Sequence, residues 1–186
     1  NKDFDAIEEM VRGLQSTLMR MKYCGGPVIT APRGMTLGGG CEIMMHGDQV
    51  RAAAETYIGL VEVGVGVIPA GGGCKEMAFR FYGSIPEGVK ADLFPFMEKM
   101  FMTVGTATVS TSAEEARSLG FLRRTDRITL NPDAVLADAK ADVLALAQMG
   151  YQPPTQFSVP VPGTTGIAAL RVGVHGMRQG GYLSEY

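Results

Sequence analysis

Apolar residues near the beginning of the chain recur at every third or fourth position. The members of this series are Phe4, Ile7, Val11, Leu14, Leu18 and Met21. The spacing places them on one face of an amphipathic helix, which Asp3 or Asp5 can cap and which we expect to reach about Lys22. Glycines and a proline at residues 25–27 end this pattern, and the β-rich run over 28–31 predicts a short strand.

Patterns typical of strands and helices continue to alternate up to about residue 82, with glycines between them. Residues 41–46 have helical character, residues 49–54 predict a second strand, and an apolar run follows over 57–61. Gly71-Gly72-Gly73 then opens a helix that we expect to end near Tyr82. This alternation predicts an α/β fold in which crossover connections join the strands.

The chain after Pro86 is predicted to be mainly helical. Residues 89–104 form an apolar stretch rich in Met and Phe, which we expect to pack in a core or against another subunit. The later elements are a capping box at 112–115, an alternating edge strand at 125–130, and helices at 133–149 and from about 167 to 179. We therefore divide the chain into residues 1–83, which carry the glycine motifs, and a mainly helical region over 84–186.

The composition is that of a globular protein. Hydrophobic residues make up 46% of the 186 residues, charged residues make up 19%, and the formal net charge is −2. The absence of clustered basic side chains argues against nucleic-acid binding, and no apolar run reaches the roughly 20 residues that span a bilayer. The three cysteines lack a C-x-x-C spacing, so we expect no disulfide framework and no metal site, but reduced thiols in a cytoplasmic protein.

Glycine is the unusual component, because 25 glycines cluster at residues 38–40, 59–66 and 71–73. Glycine turns before helices often bind phosphate. A P-loop is excluded because no Lys-Ser/Thr pair follows the first cluster, and Glu42 in the first helical turn would repel a phosphate. No G-x-G-x-x-G continues from Gly64 into a helix, so we do not expect this chain to bind NAD.

Two glutamates and one helix start remain as candidate chemistry. The bare amides at the start of the predicted helix after residue 38 could stabilise an oxyanion. Glu42 lies just inside that helix, and Glu62 follows an apolar run, so the two carboxyl groups could act as an acid/base pair. From spacing alone, a glutamate that merely caps the helix dipole is the more common arrangement.

Solitary histidines and one group of arginines have less specific interpretations. His46 and His175 each stand alone, which favours structural or surface roles over ligation. Arg123, Arg124 and Arg127 are predicted to form a solvated face, with contact to a nucleotide phosphate as the alternative.

Two blocks of sequence resemble a known family. Residues 34–42, GMTLGGGCE, and residues 60–73, LVEVGVGVIPAGGG, are similar to the two signature blocks of the enoyl-CoA hydratase/isomerase (crotonase) family, and 20 residues separate Glu42 from Glu62. The segments AAAETYIGLVEVGVG and LADAKADVLALAQMGYQPP resemble the crotonase-like part of bacterial enzymes that join a 3-hydroxyacyl-CoA dehydrogenase to an enoyl-CoA hydratase. The resemblance implies the C-terminal portion of a crotonase-like ββα spiral fold.

The resemblance also implies roles for particular residues. Glu42 would activate the water that adds to a 2-enoyl-CoA, and Glu62 would exchange a proton with the α-carbon. The backbone N–H of Gly39 would be one oxyanion-hole donor. Contacts with the substrate would come from Gly38, Gly40 and Leu60.

The family resemblance places these residues in a larger enzyme of fatty-acid β-oxidation, with lyase and oxidoreductase activities. The chain begins at Asn1 without an initiator Met, so we expect a piece of a longer polypeptide. The family's second oxyanion donor comes from an earlier segment, so we expect the chain alone to be weakly active or inactive. NAD would bind a separate dehydrogenase domain of the parent. The implied partners are acyl-CoA and a homo-oligomer or thiolase assembly.

Other functions stay open at this point. The second glutamate alone would suffice for double-bond isomerisation, so the presence of both favours hydration. Another crotonase reaction, such as thioester hydrolysis, is a further alternative. A different class of function is a non-catalytic module that binds acyl-CoA or mediates assembly through the helices after Pro86.

Overall fold

The structure is a computed structural model that describes residues 3–86 and 88–184. The helices are α1 Phe4–Lys22, α2 Gly39–Met45, α3 Gly73–Tyr82, α4 Phe94–Gly105, α5 Ala113–Ser118, α6 Val135–Gln148 and α7 Gly163–Gln179. The strands are β1 Ile29–Thr30, β2 Met35–Leu37, β3 Gln49–Ala53, β4 Tyr57–Gly59 and β5 Arg127–Thr129, with a 3-10 turn at Glu62–Val65. Within these residues no helix is both long and apolar enough to cross a membrane.

The strands form two small parallel sheets. In the first, β3 lies between β1 and β5, with Ile29 opposite Gln49 and Arg51 opposite Arg127. In the second, β2 pairs with β4 and Leu37 lies opposite Gly59. Because paired parallel strands end at the same edge, the segments that follow Leu37 and Gly59 begin side by side. This register positions the candidate site.

The core lies between α2, α3, α5 and the strands. Its fully buried members include Cys41, Met45, Val50, Ile58, Leu60, Met77, Ala116 and Phe121. The side chains of α2 that point inward are therefore held by packing from several elements. Burying such side chains removes apolar surface from water and fixes the orientation of the short helix.

The helix patterns predicted most of these elements. Helix α1 has the predicted bounds, and the side chain of its N-cap Asp3 accepts a hydrogen bond from the Ala6 N–H at 3.1 Å. Helix α4 begins at Phe94 rather than residue 89, with a proline in its first turn, and α7 begins at Gly163, before the predicted start. The three residues of β2 were not predicted as a strand, because a run this short has no resolvable alternation.

The predicted capping box forms with a shifted second half. Ser112 Oγ accepts a hydrogen bond from the Glu115 N–H at 3.1 Å, as in the standard motif. The Glu115 carboxylate reaches back one residue further than the N-cap and accepts from the N–H and hydroxyl of Thr111, both at 2.7 Å. These contacts lower the pKa of Glu115.

The predicted division after residue 83 remains a prediction. Strand β5, from the later region, pairs with β3, and Val109 forms a bridge to Gly59. The later region is mainly helical as expected, and it contributes an edge strand to the first sheet.

A buried ion-pair group fastens α6 to the first sheet, and its removal should destabilise the fold. Arg51 Nε and Nη2 each donate to Asp142 at 2.8 Å, and Arg127 adds a third contact at 2.8 Å. Because Asp142 and Arg51 are largely buried whereas Arg127 is 58% exposed, Asp142→Ala leaves mainly the Arg51 cation without its partner and should lower the free energy of unfolding by about 3 kcal/mol. Asp133→Ala, at an exposed pair with Arg33, should change it by less than about 0.5 kcal/mol. Urea denaturation followed by circular dichroism measures both values, and equal effects would contradict the assignment.

Candidate active site

The site begins where β2 and β4 end together. The Gly38 N–H donates to the Gly59 carbonyl at 2.9 Å, which ties the start of α2 to the end of β4. Gly38 has φ +54° and ψ −125°, a backbone conformation that glycine adopts without strain. The chain therefore turns sharply after Leu37 and begins α2 at Gly39 with no capping side chain.

The space beside this turn differs from one glycine to the next. A Cβ at Gly38 would lie 3.5 Å from Glu62 Oε1, so Glu62 packs directly against the turn. A Cβ at Gly39 or Gly40 would meet nothing within 4 Å. Gly39 and Gly40 are exposed at the start of α2, where the first backbone N–H groups have no partner within the helix. The partial positive charge of this helix end favours an anionic or carbonyl oxygen there.

Glu42 is held by the turn that precedes α3. The side chain is 3% exposed, and its Oε1 accepts a hydrogen bond from the Gly73 N–H at 2.8 Å. A Cβ at Gly71 would collide with Glu42 Oε2 and would lie 2.9 Å from a methyl group of Leu14. Glycines at these positions allow the backbone to approach the carboxylate, which fixes its orientation.

Glu62 differs from Glu42 in the hydrogen bonding of its carboxyl oxygens. Within the part of the chain that the structure describes, its Oε2 is buried and has no hydrogen-bond partner. Burial raises the pKa of Glu62, and the negative charge of Glu42 raises it further. A carboxyl group in this setting retains a proton to higher pH than an exposed glutamate and is suited to proton donation.

The structure thus brings together most of the residues predicted from sequence. Glu62 lies against Gly38, Gly39 starts α2, and Glu42 follows in the first turn of that helix, near enough for its charge to raise the pKa of Glu62. Leu60 differs, because its side chain is fully buried in the core and packs where a Cβ of Gly73 would come within 2.7 Å. The whole residue is 0% exposed, so neither its side chain nor its backbone is open to a substrate in this structure.

Sequence reasoning missed the residues that hold Glu42. Gly71 and Gly73 were predicted to open a helix, but their role as the hydrogen-bond donor and the clearance for a carboxylate was not. Lys75 and Glu76 were also missed, although an adjacent basic and acidic pair in the first turn of an apolar helix was a visible signal. The Gly73–Glu42 contact joins residues 31 positions apart, and the contact of Lys75 with His46 joins residues 29 positions apart. No local sequence pattern specifies contacts over such separations.

The group of arginines agrees in part with the predicted solvated face, because Arg124 and Arg127 are exposed whereas Arg123 is not fully exposed. Arg123 is half-buried and donates to the carbonyls of Gly47 and Asp48 at 2.7 and 3.0 Å, because these carbonyls follow α2 and need donors. Arg127 binds Asp142, and Arg124 is exposed. A cavity of about 860 Å³ lies beside Arg123, and its lining contains neither of the two site glutamates.

Comparison with known proteins identifies the family. The sequence family described as enoyl-CoA hydratase/isomerase matches residues 4–84, which span the turn at Gly38 and both glutamates. Residues 4–84 belong to the enoyl-CoA hydratase/isomerase family. In the described residues of this hydratase/isomerase segment and of the rest of the chain, no group of three potential ligands could hold a metal ion.

Two curated relatives extend the similarity beyond the hydratase/isomerase segment. A probable 3-hydroxyacyl-CoA dehydrogenase of Bacillus subtilis is 42% identical over 184 residues, which is 99% of this chain and 23% of that protein. A crotonyl-CoA hydratase of Syntrophomonas wolfei is 33% identical over 114 residues, covering 61% of this chain and 36% of that protein. The chain therefore spans about a quarter to a third of the length of these relatives.

A solved structure confirms the predicted fold class. The crystal structure of an enoyl-CoA hydratase from Bacillus anthracis superposes with a TM-score of 0.61 at 22% identity, over 79% of this chain and 49% of that chain. The hydratase/isomerase segment and the helices that follow it thus form part of a crotonase-type α/β fold, as the resemblance implied.

Proposed function

We propose that this chain supplies the two glutamates and one oxyanion donor of an enoyl-CoA hydratase. The carrying observation is that Glu42, fixed by the Gly73 N–H, and Glu62, with a buried unpartnered oxygen, flank the open turn at Gly39. The substrate would be a 2-enoyl-CoA thioester and the product a 3-hydroxyacyl-CoA. Family membership supports the substrate class, since enoyl-CoA hydratase/isomerase matches residues 4–84.

Each proposed group has a role that the geometry can perform. Glu42 takes a proton from a water molecule as the water oxygen bonds to the β-carbon of the substrate. The double-bond electrons move toward the thioester, and the negative charge that develops on its carbonyl oxygen is stabilised by the Gly39 N–H. Protonated Glu62 then donates its proton to the α-carbon, and transfer between the two carboxyl groups through water restores the starting state. Gly40, beside which a Cβ would meet nothing within 4 Å, leaves room for the thioester next to the turn at Gly38.

Hydration is favoured over the other reactions of the family. Isomerisation needs one carboxyl group that removes and returns a proton, whereas hydration needs a second group to activate water. In this chain both glutamates are present, and a backbone N–H orients Glu42. Among the residues that the structure describes, Glu42 forms no salt bridge, so its second oxygen is left for a water molecule.

We further propose that a longer polypeptide completes the site. The chain spans 23% of its dehydrogenase relative, which is consistent with a parent that also carries a 3-hydroxyacyl-CoA dehydrogenase and binds NAD there. Such a parent would act in fatty-acid β-oxidation, as a homo-oligomer or with a thiolase. A cytoplasmic location would agree with the three free cysteines. Losing the second oxyanion donor costs roughly 10²–10³-fold in rate, so residues 1–186 alone would be nearly inactive.

A comparison of two proteins tests the proposed function. One is residues 1–186, and the other, here called the extended protein, also includes the natural sequence that precedes Asn1. Hydration is measured by the loss of absorbance of the 2-enoyl thioester as water adds across its double bond. We expect activity in the extended protein and little or none in residues 1–186. An extended protein that binds acyl-CoA without hydrating or isomerising it would favour the non-catalytic module.

The two carboxyl groups should also be coupled electrostatically. Burial and the charge of Glu42 raise the pKa of Glu62, so Glu62 should titrate above the ordinary range of a glutamate side chain. Glu42→Gln removes one cause and should move the pKa of Glu62 back toward its ordinary value while burial keeps it raised. Carbon-13 NMR of labelled glutamate side chains, with Glu62→Gln for assignment, measures both. An unchanged pKa in Glu42→Gln would contradict the coupling.

A further inference from the structure

A buried polar cluster connects α1, α2 and α3 next to Glu42. Lys22 of α1 donates to both oxygens of Glu76 at 2.6 and 2.8 Å, and Lys75 Nζ lies 2.9 Å from Glu76 Oε1. Lys75 Nζ also lies 3.0 Å from His46 Nε2. His46 is 1% exposed and Glu76 is 3% exposed. Because buried ion pairs add little net stability, the cluster is better explained by what it orients.

The contacts of His46 define the protonation of its ring. Its Nδ1 lies 2.7 Å from the Glu42 carbonyl oxygen, which only accepts, so Nδ1 carries the hydrogen. Its Nε2 lies 3.0 Å from the Lys75 ammonium group, which only donates, and 3.5 Å from Glu76 Oε1, so the shorter contact makes Nε2 the acceptor. The ring is therefore neutral, in agreement with burial, which lowers the pKa of His46.

The same ring contacts both backbone segments that fix Glu42. The N–H of His46 itself bonds to the Ile43 carbonyl at 3.1 Å, so the ring supplies the donor for the Glu42 carbonyl near the end of α2. On its other side the ring packs on Gly72, where a Cβ would lie 3.0 Å from Cε1 and 3.1 Å from Nε2. The next residue, Gly73, donates to the Glu42 carboxylate.

We propose that His46 is a positioning residue that orients the Glu42 carboxylate for activation of water. One ring joins the backbone of Glu42 to the turn that binds its side chain, and Lys75 and Glu76 hold that ring in place. A smaller or apolar side chain at position 46 would release both segments. This inference rests on the proposed function, because its effect is on a step that Glu42 performs.

Two reactions of the extended protein separate positioning from general stability. Hydration requires Glu42 to activate a water molecule. Exchange of the α-protons of a saturated acyl-CoA for solvent deuterium requires Glu62 and the oxyanion donors, but no water adds to the substrate. His46→Leu should lower kcat for hydration by roughly 10- to 100-fold, the cost of misplacing a reacting group. KM and the rate of α-proton exchange should change little.

A conservative variant and a control test whether the effect of His46→Leu is specific. His46→Asn retains an amide N–H in the place of Nδ1 and should recover most of the lost hydration rate. His175→Leu, at the exposed histidine of α7, should leave both reactions unchanged. Equal losses in hydration and exchange, or no recovery in His46→Asn, would overturn the inference.

Failure of His46→Leu to fold would not prevent the test. Lys75→Met changes a side chain that is 35% exposed and removes the donor to Nε2 while it retains the Nδ1 contact. It should lower hydration selectively, by a smaller factor than His46→Leu. No selective loss in Lys75→Met would then overturn the inference. If the unsubstituted extended protein catalyses neither reaction, the proposed function itself fails and this inference fails with it.

Discussion

Replacing Glu62 with glutamine in the extended protein should lower kcat for hydration by roughly 10²–10⁴-fold, the usual contribution of a general acid or base. Glu62→Gln keeps the size of the side chain and the packing against Gly38. The glutamine amide, however, has no acidic proton to donate to the α-carbon at neutral pH. Glu42→Gln should cause a loss of the same order, since its amide oxygen can still accept from the Gly73 N–H while its ability to deprotonate water is gone. A spectrophotometric assay of 2-enoyl-CoA hydration measures both.

The two glutamate variants also distinguish the reactions of the family. Glu55→Gln, the same change at an exposed position, should retain the full rate. If Glu42→Gln alone retains double-bond isomerisation, the site can run that reaction with one carboxyl group. If neither Glu42→Gln nor Glu62→Gln lowers the hydration rate, the assignment of both residues is wrong.

Removing the N–H of Gly39 should have the second large effect. Gly39→Pro takes away the amide hydrogen at the first position of α2, where helices tolerate proline. Because the oxyanion donor acts mainly in the transition state, kcat for hydration should fall by roughly 10²–10³-fold. Binding of the substrate should change much less, which separate measurements of kcat and KM will show.

A matched change at the same position provides the control. Gly39→Ala retains the N–H, and its added Cβ would meet no heavy atom of the protein within 4 Å. Its hydration rate should therefore remain close to that of the unsubstituted extended protein. Circular dichroism checks that α2 and the surrounding core still form in Gly39→Pro. A fully active, folded Gly39→Pro would contradict the role of this amide.

The helices could be predicted because their signals are local. The three- and four-residue spacing gave α1 its bounds, and the capping box at Ser112 gave the start of α5. The short strands were harder, since β2 has three residues and forms only by pairing with β4. The register of β2 and β4 depends on contacts between segments about 20 residues apart, and a local sequence pattern does not contain this information.

The candidate site, too, could be predicted from the sequence only in part. Sequence blocks around Glu42 and Glu62 were sufficient to name the family, and the family match to residues 4–84 bears this out. The blocks could not indicate that Gly73 donates to Glu42 or that Glu62 keeps a buried unpartnered oxygen. They also gave His46 only a generic structural role, because its partners Lys75 and Glu76 belong to a different helix.

The sequence by itself determined most of the element types and the family, and it singled out the two candidate glutamates, because spacing, glycine placement and motif order are properties of the chain. Only the tertiary structure decided the contacts and the burial of these two side chains. Parallel pairing of β2 with β4 brings Gly38 beside Glu62, and the turn before α3 brings the Gly73 amide to Glu42. Burial and the proximity of a second charge then raise the pKa of Glu62, and both effects arise from distances that exist only after folding.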